Sequence, residues 1–240
     1  MRRLWDKGPL REALLLWAIA FLAILVAHMT AASLAKPVAT VAFLYLPLWA
    51  MRRRGEDYQD YGVTFRAWRE DLRLVAVVCL VVLPLYTAGF WAVTHLRPQM
   101  PQWAQAVFAP LMGQGRIFHA RLPDGFGLWV VDQLFVVALP EEFFFRGYLQ
   151  ARLGLVWPGG ARFLGATLGP AFLLTAVLFA LGHLAVFHAW RLAVFFPALL
   201  FGYLRARTGT VLGSTLVHAS FNLYSLFLEA SFTPLWTRQH

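Results

Sequence analysis

The run Leu139-Pro140-Glu141-Glu142-Phe143-Phe144-Phe145-Arg146 lies inside an otherwise apolar stretch, 127–150. Such a stretch is long enough to cross a bilayer, which takes about 20 residues of helix. Three charged side chains among phenylalanines would each cost several kcal/mol in hydrocarbon. They are tolerable only where other helices supply partners, so this one segment argues for a bundle whose interior is polar. Glu142 and Arg146 stand at i and i+4, the spacing of a helical ion pair. Glu141, about 100° further round the helix, is left to face something else. Pro140 removes a backbone donor and disturbs the helix one turn back.

Working outward from that run, the composition is that of a membrane protein. Hydrophobic residues make up 60% of the 240 and charged residues 14%, with a mean hydropathy of +0.60. A soluble domain carries roughly a quarter of its residues charged. The net charge of +9 comes from Arg and Lys placed between apolar blocks. We read these as topology signals and not as a nucleic-acid surface. The single cysteine, Cys79, excludes an intrachain disulfide and any multi-cysteine metal site.

Apolar blocks predict an all-α, polytopic transmembrane bundle of about seven spans, at 12–34, 37–51, 74–94, 127–150, 166–187, 190–204 and 210–230. Residues 52–73 read as a basic loop followed by an amphipathic surface helix carrying Phe65, Trp68 and Leu72. The pairs Gly165/Gly169 and Gly209/Gly213 read as close-packing sites at the starts of the fifth and seventh spans. With the N-terminus inside, 15 of the Lys and Arg side chains fall on the inner side (among them Arg2, Arg3, Lys7, Arg205 and Arg207). Six fall outside: Lys36, Arg97, Arg116, Arg121, Arg191 and Arg238. The positive-inside rule then predicts a cytoplasmic N-terminus, in a prokaryotic inner membrane given the dominance of Arg over Lys. The expected organisation is N-terminal spans and loops over 1–124, a catalytic helix core over 125–230 and a tail over 231–240.

Two further spans carry polar residues. The fifth reads Phe179-Ala180-Leu181-Gly182-His183, the seventh His218-Ala219-Ser220-Phe221-Asn222. Four residues is nearly one helical turn, so His218 and Asn222 share a face, and in lipid both need partners within the bundle. Each group alone has a bland reading as an interhelical hydrogen bond. Together they supply a carboxylate and an imidazole to hold and deprotonate a water, with a second imidazole and an amide to stabilise an oxyanion. That set suits amide hydrolysis without a serine or cysteine nucleophile.

The ordered motifs Glu141-Glu142-x-x-x-Arg146, Phe179-x-x-x-His183 and His218-x-x-x-Asn222, with Leu204-Arg205-x-Arg207-Thr208-Gly209 before the last, resemble those of the CPBP family. These are intramembrane endopeptidases of the CAAX-protease and bacteriocin-processing type, and the resemblance covers roughly residues 125–230. It implies Glu141 as the water-activating glutamate with His183 as its partner, His218 and Asn222 as oxyanion stabilisers, and Glu142 and Arg146 as orienting residues. The family was formerly grouped with metallopeptidases. Its glutamic mechanism requires no cofactor; the alternative is zinc on Glu141, His183 and His218. The implied partner is a membrane-anchored protein substrate, cleaved at a CAAX-like or sorting tail, with no nucleic acid. A non-catalytic immunity or scaffold protein of the same fold, or a transporter using the buried Glu and His groups, are the competing readings.

Overall fold

The computed structural model describes residues 8–108 and 117–232. Arg2, Arg3, Lys7, Arg116 and Arg238, which enter the topology count, lie outside the described residues, as does most of the 231–240 tail.

Three helices open the chain: α1 (Gly8–Thr30), α2 (Ala35–Arg54) and α3 (Trp68–Leu96). At 1.5 Å per residue α1 alone reaches about 34 Å, enough to cross a bilayer. Ala13, Leu16, Ala20, Ile24 and Ala27 recur every three or four positions and form its buried stripe. Leu15, Leu22 and Val26 on other faces are more than half exposed, as apolar side chains can be when the surrounding medium is lipid. Among the described residues these three helices, with α2 counted together with its leading turn, are the ones long and apolar enough to span by themselves.

After α4 (Gln102–Phe108) comes one unbroken helical run over 126–156, here α5. It contains two π-helical stretches, Asp132–Ala138 and Phe143–Leu149, flanking the α-helical turn Leu139–Glu142. Pro140 explains the disturbance: it has no N–H to return one turn back, to the Val136 carbonyl. That carbonyl accepts a hydrogen bond from the Thr40 hydroxyl of α2 instead, at 2.8 Å. The wider π turns also hold residues four apart on nearly one face, so Gln133, Val137, Glu141 and Phe145 all line one cavity.

A short antiparallel hairpin follows, β1 (Ala161–Phe163) with β2 (Ala166–Leu168). The remaining helices are α6 (Pro170–Gly182), which runs on as a 3-10 turn His183–Val186, then α7 (Phe195–Thr208) and α8 (Leu212–Ser231). One core joins α1, α2, α5 and α6, with Leu16, Phe43, Phe144, Phe145 and Phe179 at its centre. At one end of that core, Glu12 accepts hydrogen bonds from Arg54 (2.5 Å) and Tyr148. Glu56 accepts from Arg54 and Tyr61 in the same cluster. Burial lifts the Glu56 carboxyl, but the Tyr61 hydroxyl and the Arg54 guanidinium outweigh that and hold it below the usual carboxylate range.

Several sequence expectations change here. The seven-span count is not established by helix length and composition, which single out three; α6 with its turn is apolar but shorter. The expected fifth span, 166–187, begins as strand β2, because Gly165 (φ 81°) turns the hairpin and Gly169 is the extended cap before α6, crowded against Gly159, so neither sits on a helix face. Gly209 (φ 72°) likewise terminates α7 in the left-handed conformation. The expected surface helix does not form separately: Trp68 and Leu72 belong to the first turns of α3. It is anchored there by buried Asp71, which accepts a hydrogen bond from Thr210 at 2.6 Å.

Replacing Thr40 by Val removes the donor that serves the Val136 carbonyl. We expect a loss of about 0.5–1.5 kcal/mol, seen as a lower thermal-unfolding midpoint in detergent and restored by Thr40→Ser. An unchanged midpoint would mean that the carbonyl is served otherwise.

Candidate active site

At the middle of the bundle Glu142 and Arg146 are both completely buried and paired at 2.9 Å, as their spacing predicts. The same Glu142 oxygen, Oε1, is 2.9 Å from Nδ1 of His218 on α8. Arg146 also donates to the Ala198 carbonyl of α7 at 3.3 Å. Its guanidinium lies 4.2 Å from the Phe179 ring centroid and 5.1 Å from that of Phe201. A charge taken out of water is expensive. Here one carboxylate and two aromatic faces offset that cost.

This arrangement orients His218. A carboxylate only accepts, so Nδ1 carries the proton that it shares with Glu142, and Nε2 turns toward Glu141, whose Oε2 is 3.9 Å away. Phe201 stacks on the ring at 4.9 Å with 15° between planes, fixing its tilt. His183 is set in a parallel way. It is the first residue after α6, where the helix tightens into a 3-10 turn, and its Nδ1 bonds the Phe179 carbonyl at 2.9 Å. A carbonyl also only accepts, so His183 is protonated on Nδ1 and presents a lone pair on Nε2. Phe179 therefore does two jobs, with its ring on Arg146 and its carbonyl on His183.

Glu141, His183, His218 and Asn222 all line a single cavity of about 1120 Å³. That exceeds the usual small-molecule site of about 300–1,000 Å³. Its walls come from α1, α2, α3, α5, α6, α7, α8 and the turns after α6, and they are largely apolar: Ile24, Phe43, Leu83, Val137 and Phe221 among others. Asn222 does not point into the cavity unassisted. Its amide donates to Gln133 Oε1 at 2.8 Å, a pairing that the motif comparison does not signal. Gln133 could have been found as the polar residue eight positions before Glu141 in an apolar run, on the face that the π turns align. Among the described residues no group of three or more His, Cys, Asp or Glu side chains is gathered so as to hold a metal ion. Glu141, His183 and His218, the donors of the zinc alternative, do not make such a group.

The sequence profile of the family described as type II CAAX prenyl endopeptidase, Rce1-like, matches residues 123–224. The match spans somewhat under half of the chain, takes in all three motifs, and covers the helices that bring Glu141, His183, His218 and Asn222 to the cavity. Residues 123–224 are thus similar to that family, in a chain whose first helices are apolar and long enough to cross a membrane. No curated protein and no solved structure matches the chain.

Removing one partner of the buried pair leaves the other charge uncompensated. Arg146→Ala should cost about 3–5 kcal/mol and sharply lower the unfolding midpoint. Glu141→Gln should shift it by far less, because Glu141 retains some exposure. Equal midpoints for the two variants would contradict the assignment of Arg146 to the framework.

Proposed function

We propose that this protein is an intramembrane endopeptidase that hydrolyses a peptide bond of a membrane-anchored protein with a glutamate-activated water. The observation that supports this most strongly is that Glu141 and His183, the latter held through Nδ1 by the Phe179 carbonyl, line one cavity. The imidazole Nε2 and the Glu141 carboxylate are both acceptors. A water between them donates a hydrogen bond to each and turns a lone pair toward an incoming carbonyl. As the water oxygen bonds to the carbonyl carbon, Glu141 takes its proton. The Asn222 amide and the His218 imidazole, held through Nδ1 by Glu142, stabilise the oxyanion. Glu141 then passes the proton to the departing amine as the C–N bond breaks, releasing an amine and a carboxylic acid that keeps the second proton of the water. This route requires no cofactor. Glu142 and Arg146 act as positioning residues, through His218.

The apolar cavity and the CAAX-protease match favour a substrate cleaved near a membrane-embedded end, a CAAX-like or sorting tail. The charge distribution favours a prokaryotic inner membrane with the N-terminus in the cytoplasm.

In proteoliposomes carrying a tailed membrane substrate, Glu141→Ala and His183→Ala should each lower the cleavage rate by about a hundred- to ten-thousandfold, with abundance and unfolding midpoint retained. Full activity in both variants would sink the peptidase reading and favour a scaffold role.

A further inference from the structure

The Leu204–Gly209 segment matches the family motif but takes no part in the chemistry above, and its arginine is in an unusual setting. Arg205, on the last turns of α7, is half-buried, and its Nε is enclosed without a hydrogen-bond partner. Its guanidinium lies flat against the chain at Gly62: a Cβ built there would be 3.0 Å from both Cζ and Nε of Arg205. A second guanidinium approaches the same place. Arg66 donates from Nη2 to the Gly209 carbonyl at 3.2 Å. A Cβ built at Gly209 would stand 2.6 Å from Arg66 Nη2 and 3.8 Å from Arg205 Nη1. Two cations therefore converge over one glycine, close enough for the charge of Arg66 to act on Arg205.

Neither arginine has an acidic partner among the described residues. The nearby carboxylates are committed elsewhere: Glu70 pairs with Arg207 at 3.0 Å, and Asp71 faces Thr210. The C-terminal carbonyls of α7 offer only a partial negative charge, of which Arg66 takes one. Converging forks of this kind fit the oxygens of a phosphate, each with paired donors.

The surroundings indicate where such a phosphate comes from. Phe65 is 73% exposed and Trp68 47% exposed on either side of Arg66, immediately before α3 enters its apolar run. Exposed aromatic rings beside arginines at the mouth of a spanning helix belong at headgroup depth. We propose that Arg66 and Arg205 form a phosphate-binding niche for an anionic phospholipid headgroup. It clamps the 62–66 loop to the end of α7, remote from the cleavage chemistry and independent of it.

The test uses the full-length protein in a zwitterionic detergent, titrated with phosphatidylglycerol, with phosphatidylcholine or with inorganic phosphate. Phosphatidylglycerol should raise the unfolding midpoint of the wild type, phosphatidylcholine should not, and Arg66→Gln should weaken the lipid response by about tenfold. Arg66 is exposed, so its variant folds even if Arg205→Gln does not. Arg66→Lys, which keeps the charge and loses the fork, should recover only part of the response. A rise with inorganic phosphate and none with the lipid would overturn the headgroup assignment. Equal lipid responses of wild type and Arg66→Gln would overturn the site altogether.

Discussion

The buried contact of Glu142 with Arg146 and His218 is the constraint on which the rest of this bundle depends. Two charges with no solvent exposure are stable only while each keeps its partners. Those partners come from four places: α5 supplies both charges, α6 the Phe179 ring, α7 the Ala198 carbonyl and the Phe201 ring, and α8 the imidazole. Moving any one helix would strand a charge. The same contact fixes the tautomer of His218, so the interaction that locks the helices together also aims the side chain facing the cavity.

The second device is local to α5. Pro140 interrupts the hydrogen-bond ladder just before the two glutamates, and the helix widens into π turns on both sides of it. The consequence is directional. Glu142 faces the protein core with Arg146 while Glu141, its neighbour, faces the cavity in line with Gln133, Val137 and Phe145. An undisturbed α-helix would carry residues spaced by four progressively off one face. Thr40 of α2 supplies the hydroxyl that meets the carbonyl Pro140 cannot serve, which ties the N-terminal helices to the helix that carries the two glutamates.

What the sequence made legible follows from what is encoded locally. The ion pair was visible as an i, i+4 spacing and the membrane setting as block composition. The shared face of His218 and Asn222 followed from a four-residue interval. Features that depend on backbone detail or on distant partners were not visible. Gly165 and Gly169 have the spacing of a helix-packing pair, yet positive φ at Gly165 and the crowding at Gly169 serve a hairpin. Trp68 and Leu72 have amphipathic spacing, but Asp71 between them is buried by Thr210, far along the chain, and draws the whole segment into α3. Helix α6 is too short for a simple span because His183 ends it. The hydropathy of 166–187 alone does not show that the chain enters as a strand and leaves as a 3-10 turn. Gln133 is marked in the sequence only as a polar residue in an apolar run, because its partner Asn222 lies far along the chain.

If Glu142 serves the chemistry only by holding His218, the two residues act as one unit. The most direct test is a double-mutant cycle on the cleavage rate, comparing Glu142→Gln, His218→Ala and the double variant in folded protein. This account predicts that the double variant is no slower than the slower single variant, because once His218 is gone there is nothing left for Glu142 to orient. Losses that multiply in the double variant would contradict it and would give Glu142 a role of its own in the reaction.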